Sequence, residues 1–168
     1  MDKDQLRQMW GVTTIEVTAF FQQLDEAAFA AEREGRWSFA QNLDHLVRSV
    51  TPVARALRLP KMALRFLFGK ADASATYQEI HDRYKAELRA GAEAPKAFVT
   101  TRLESQSVLL NRWASAARSL DTALDKWNEE QLDRLRLPHP ILGKISVREM
   151  LYFTDLHARH HLDNCRKS

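Results

Sequence analysis

The chain has a single cysteine, Cys165, in 168 residues, so an internal disulfide framework is excluded. Glycine and proline are scarce, at five each, which leaves room for long helices between few obligatory turns. No run of about 18 or more apolar residues occurs, and no helix is expected to span a membrane. The greasiest stretch, Lys61 to Lys70, is far too short and carries Arg65 within it. The opening Met-Asp-Lys-Asp-Gln leads directly into a mixed polar pattern rather than the apolar segment of a secretory signal. No membrane partner is expected, and the expected compartment is the cytoplasm. Block charge is missing too. A net charge of +3 arises from interspersed acids and bases, which argues against nucleic acid as a partner. No repeat or low-complexity segment is seen.

What is present is helical punctuation. In a capping box, a Ser, Thr or Asn side chain bonds the backbone N–H three residues on, and a Glu or Gln there reaches back. Ser38 with Gln41, Thr101 with Glu104, Ser146 with Glu149 and Asn128 with Gln131 all fit. Helix-period apolar stripes predict four long helices. The first runs from about Asp4 to Arg33, broken at Glu34-Gly35-Arg36. The second starts at Ser38, reaches Leu57 and should kink at Pro52. The third runs from Thr101 to about Trp127, and the fourth from Ser146 to about Asn164. A shorter helix through Tyr77, Ile80, Tyr84 and Leu88 should stop at Gly91. Pro138 and Pro140 keep 135–143 from being helical throughout, and no alternating strand pattern is convincing. Together these predict one all-α domain over residues 1–168, a four-helix bundle with long crossover connections. Trp10, Phe20, Phe21, Trp113 and Trp127 exceed one narrow stripe, so either a wide buried face or a partner subunit takes up the surplus.

Chemistry concentrates in the histidines. His157 and His161 lie four residues apart, so both project from one helix face and can offer two imidazole nitrogens to one metal ion. A third imidazole from another helix would leave coordination positions open for water or substrate. Solvated imidazoles at a helix C-terminus are the alternative reading. His160 points away from the pair, as a bystander or rim residue. His45 sits with Asn42, Ser49 and Ala56 beside its helix's apolar stripe, where small residues leave room for a cavity, although the wheel alone favours a surface position. His81 and His139 carry no supporting pattern. Cys165, four residues past His161, reads as a buried small hydrophobe or a chain-end residue rather than a ligand. Asp44 and Asp155 are candidates for orienting an imidazole, but nothing in the spacing demands it, and charge on the helix surface is the reading the pattern favours.

Trp37-Ser38 opening a helix with His45 seven residues after the serine, then Gly143-Lys-Ile-Ser-Val-Arg-Glu-Met-Leu-Tyr-Phe153, then His157-x-x-His160-His161, form an ordered set over the whole chain. In this the chain resembles the DinB-like (DinB/YfiT-like) superfamily of metal-binding four-helix bundles. The resemblance implies a divalent metal, zinc or nickel, held by His45, His157 and His161. It also implies a homodimer and a small-molecule substrate. Characterised members include thiol-dependent enzymes such as bacillithiol S-transferases and a mycothiol-dependent maleylpyruvate isomerase. Members often have Gln three residues after the last histidine; Asn164 stands there in this chain.

Three functions remain open at this point. One is a metal-dependent thiol S-transferase using a low-molecular-weight thiol, since the chain shows no nucleophile elbow of its own. Arg48 and Arg159, near the proposed ligands, would then be candidates for holding a carboxylate of the thiol, although ordinary surface charge is the reading that the residues themselves favour. The second is a non-catalytic metal-binding or stress-related interaction protein. The third, suggested only by the basic pI and the family name, is nucleic-acid binding.

Overall fold

The computed structural model describes residues 1–99 and 104–167. Among the described residues, eight α-helices and two strands follow in chain order, beside short 3₁₀ turns at Lys96–Phe98 and Leu124–Lys126: α1 (Lys3–Gln22), α2 (Glu26–Ala30), α3 (Phe39–Ala56), α4 (Lys61–Phe68), α5 (Tyr77–Arg89), α6 (Gln106–Ala123), α7 (Glu129–Arg134), β1 (Arg136–His139), β2 (Gly143–Ser146) and α8 (Val147–Arg166). Helices α1, α3, α6 and α8 form the bundle. Its neighbours are α1/α6, α6/α3, α3/α8 and α8/α1, so α1 lies diagonal to α3 and α6 to α8. The α3–α6 connection crosses over through α4, α5 and a 3₁₀ turn at Lys96–Phe98.

The capping boxes at Ser38, Asn128 and Ser146 close as the sequence indicates, and two further boxes open α1 (Asp2 with Gln5) and α5 (Thr76 with Glu79). The expected box at Thr101 lies outside the described residues. Helix α6 starts only at Gln106, behind Ser105. The expected first helix is also two: Asp25 accepts from the backbone N–H of Ala28 and starts α2, which buries Phe29 completely. Helix α3 continues through Pro52 to Ala56.

A short antiparallel hairpin is present where no strand was expected. Arg136 pairs with Ser146 and His139 with Gly143. Gly143 adopts φ +73°, a left-handed conformation that favours glycine. His139 closes the turn, its Nδ1 accepting from the backbone N–H groups of Ile141 (3.3 Å) and Leu142 (3.1 Å).

The aromatic surplus turns inward. Trp10, Phe21, Trp113 and Trp127 are all buried, and Phe20 packs partly buried against the same core. Trp10 meets Trp113 edge to face at 5.6 Å, a favoured aromatic geometry. The indoles of Trp10 and Trp127 donate to the carbonyls of Ala117 and Leu57. A wide buried face, not a subunit interface, accounts for these residues.

Helix α8 is the central element. Every residue from Val147 to Leu156 is buried, including Arg148, Glu149 and Asp155. Such all-round burial requires partners for the charges. Arg148 binds the carboxylates of Asp133 and Glu129. Asp155 accepts from Thr13, Tyr77 and Arg159. These bonds fix α8 against α1, α5 and α7, and its last turns present the histidines.

Candidate metal centre

His157 and His161 project from successive turns of α8, and His45 faces them from α3, a packed neighbour. One ligand-capable nitrogen of each lies within 4.8 Å of the other two. The Nε2 atoms of His45 and His157 are 3.0 Å apart. A tetrahedral ion with metal–nitrogen bonds of about 2.0–2.1 Å holds its ligand nitrogens about 3.3 Å from one another. The three rings therefore stand close to ligand spacing, and this set could hold a metal ion.

Neighbouring groups decide which nitrogen faces inward. The Nδ1–H of His45 donates to the carbonyl of Phe98 at 2.9 Å. The Nδ1–H of His161 donates to Oδ1 of Asn42 at 2.8 Å. Asn42 is itself oriented, because its amide nitrogen donates to the carbonyl of Ser38 at 2.9 Å. Both acceptors require hydrogen on Nδ1, which leaves the Nε2 lone pairs for the centre; such outer partners fix tautomer and ring angle in metal sites. His157 is held by packing: its ring stacks on Phe153 (5.3 Å between centroids, 18° between planes). Trp37 stacks on His161 and meets His45 edge-on.

Electrostatics keep these rings neutral. Burial lowers the pKa of His45, and burial together with neighbouring imidazoles holds His157 and His161 well below the ordinary value. A neutral imidazole is the form that binds a metal.

The cluster opens into a cavity of about 1000 Å³. Val53, Leu88, Ile141, Met150 and Phe153 form much of its apolar wall. Arg33, Arg36 and Lys167 supply positive charge to its lining, and Glu93 is the one carboxylate among the described residues there. Tyr84 is buried beside the cluster, 5.7 Å from His160 and 6.2 Å from His157 between ring centroids. Burial raises its phenol above the ordinary value, so it remains a proton donor. Among the described residues its hydroxyl has no hydrogen-bond partner.

His160 lines the cavity away from the triad and bonds Asn164 at 3.0 Å. The Asn164 amide therefore serves His160 rather than the three clustered rings. His139 is a wall residue, packed 4.0 Å from the ring of Phe153. His81 is paired with Asp82 on the surface. Cys165 lies in the core, where burial pushes its thiol up to about 11, and it is not part of the cluster. Four candidate roles go unfilled. Asp44 and Asp155 do not orient an imidazole: Asp44 pairs with Arg48, and Asp155 is taken by Thr13, Tyr77 and Arg159. Arg48 and Arg159 are thereby occupied and do not line the cavity. The orienting groups are Asn42, which the helical wheel places beside His45, and the Phe98 carbonyl, for which no side-chain signal exists.

The chain matches none of the curated proteins with which it was compared. A solved structure described as that of TT2238, a four-helix bundle protein, superposes with a TM-score of 0.61 over 98% of each chain at 17% identity. That likeness supports the fold alone. The family model of the DinB superfamily matches residues 5–164. With nearly the whole chain covered by that model, and with the bundle and the histidine cluster in place, the protein belongs to the DinB superfamily.

Proposed function

We propose that His45, His157 and His161 hold a divalent ion, zinc or nickel, and that the protein is a metal-dependent thiol S-transferase. The observation that carries this reading is the cluster itself: three neutral imidazoles converge and line a large, mostly apolar cavity. A divalent ion bound there supplies positive charge that favours the deprotonated form of a thiol or water. The chain's own residues do the rest. Asn42 and the Phe98 carbonyl hold two rings in register. The apolar wall receives an electrophile and excludes bulk water. The Tyr84 hydroxyl stands as a proton donor for charge that develops on the electrophile. Arg33, Arg36 and Lys167 are suited to the carboxylate of a low-molecular-weight thiol. Such thiols are abundant in the cytoplasm, which we propose as the setting.

Metal content by elemental mass spectrometry, on untagged protein purified without chelator or added metal, tests the first half. Near-stoichiometric zinc or nickel is expected in the wild type and none in His157→Ala. Thiol consumption with a chloronitrobenzene tests the second half. Turnover that persists in His157→Ala at unchanged helicity would overturn it. A metal-binding bundle without turnover is the second reading. The sparse acid–base inventory of the cavity, with Glu93 as its one carboxylate among the described residues, favours it. We also propose a homodimer; Val12 and Ile15 on α1 and Val108 on α6, two packed helices, expose apolar surface that a second copy can cover. Light scattering across a concentration series decides that point.

A further inference from the structure

The interspersion of charge along the chain has one exception. Between His45 and Ala71 there are six basic residues and no acidic one: Arg48, Arg55, Arg58, Lys61, Arg65 and Lys70. Arg48 is paired with Asp44, and Lys61 lies over the ring of Trp127. The other four are exposed and form no ion pair among the described residues. Burial, and after it the nearby charge of Lys126, push Lys61 down to about 8, so Lys126 adds to the same field.

The same segment exposes apolar side chains. Helix α4, set off by Pro60 before it and Gly69 after it, buries Leu64 completely. On its other side Phe66 is 90% exposed, Met62 73% and Leu67 58%; Leu59, just upstream, is 43% exposed. Met62 and Phe66 are one turn apart and share a face. Leaving a phenylalanine almost wholly in water forgoes the free energy that burial would supply. Exposed apolar groups on a helix flanked in sequence by exposed cations make up the pattern of a helix that lies in the interface of an anionic bilayer. A second copy of the chain is a poor occupant, because a two-fold contact would press this uncompensated positive charge against itself. Nucleic acid is also a poor fit, since methionine and leucine cannot stack on bases as aromatic platforms do.

We propose that α4 and its basic flanks dock on an anionic lipid surface. Met62, Phe66 and Leu67 enter the boundary between headgroups and acyl chains, and Arg58, Arg65 and Lys70 meet the lipid phosphates. No helix of the described residues is long and apolar enough to cross a membrane; the contact lies on the surface. Leu59 and Phe68 also line the cavity, so the docked face borders its wall.

Co-sedimentation of the intact chain with vesicles tests this. Vesicles of phosphatidylcholine with phosphatidylglycerol should retain the protein, and those of phosphatidylcholine alone should not. Replacing Arg58 and Arg65 together by Gln should weaken retention about tenfold or more. Phe66→Ser should weaken it by a similar factor, with unchanged circular dichroism. No retention on the anionic vesicles overturns the proposal, as does full retention of Phe66→Ser. A dimer by light scattering that Phe66→Ser dissolves would assign the face to a second copy instead. Salt-dependent binding of duplex DNA that needs Arg58 and Arg65, without vesicle retention, would assign it to nucleic acid.

Discussion

The histidine cluster and helix α4 break the usual partition of polar and apolar groups in opposite directions. The cluster gathers imidazoles at a buried helix interface, and α4 holds phenylalanine, methionine and leucine in water. Burial of a polar group is tolerated only when its hydrogen-bonding capacity is met. That condition is satisfied for His45 and His161 by the Phe98 carbonyl and Asn42. Exposure of an apolar group carries no such condition; it costs only the stabilisation not gained. The cluster is therefore the constrained region, sensitive to its surroundings, and the α4 face is the tolerant one. Substitutions should act locally and strongly in the first, and leave folding unaffected in the second.

The comparison is sharpest for metal binding. His157→Ala should abolish metal uptake while Phe66→Ser retains the wild-type stoichiometry, both read by elemental mass spectrometry. Loss in both variants would mean that the two regions are not independent. Acid should act next. The folded pKa of His139 is lowered to about 4 by burial and by Arg83, so the unfolded chain takes up its proton first. Stability is full above about pH 6.5 and falls as pH drops toward 4, by roughly 2–3 kcal/mol from this group. The lowered pKa values of His45, His157 and His161 act in the same direction. Urea denaturation of the metal-free protein at pH 6.5 and 4.5 measures the loss, and His139→Gln should shrink it.

Asn42→Ala comes third. Removing the acceptor for His161 should weaken metal affinity about 10–100-fold, as read by competition with a chromogenic chelator. Unchanged affinity would mean that packing on Trp37 alone orients the ring. The smallest effect belongs to α4. Phe66→Ala should change folding stability by no more than about 0.5 kcal/mol, whereas Phe21→Ala, wholly buried, should cost about 3–5 kcal/mol. Thermal melts of the two variants side by side decide this.

Much of this was legible in the sequence, and the omissions have physical reasons. Stripes of 3.6 period reveal a helix only where one face meets water. The stripe of α8 marks the helix but not the all-round burial of its first half, so the wheel leaves Asp155 on the surface. Asp155 is enclosed instead by Thr13, Tyr77 and Arg159. The hairpin escaped because its strands have four residues each and one contains Pro138; its turn depends on His139, whose role is a side-chain bond to backbone. His157 and His161 were readable as a pair from spacing alone. His45 needed the resemblance, since a helical wheel cannot show which neighbouring helix a side chain faces. The Phe98 carbonyl was beyond reach, because every residue has one.

The bond from His45 to that carbonyl joins the α3–α6 crossover to the cluster. An ion bound at Nε2 would make the opposite N–H more acidic and its hydrogen bond stronger. Occupancy of the proposed centre and anchorage of the Lys96–Phe98 turn would then be two faces of one equilibrium, each raising the other by the same factor. On that proposal, amide hydrogen exchange in the turn should slow as metal is added.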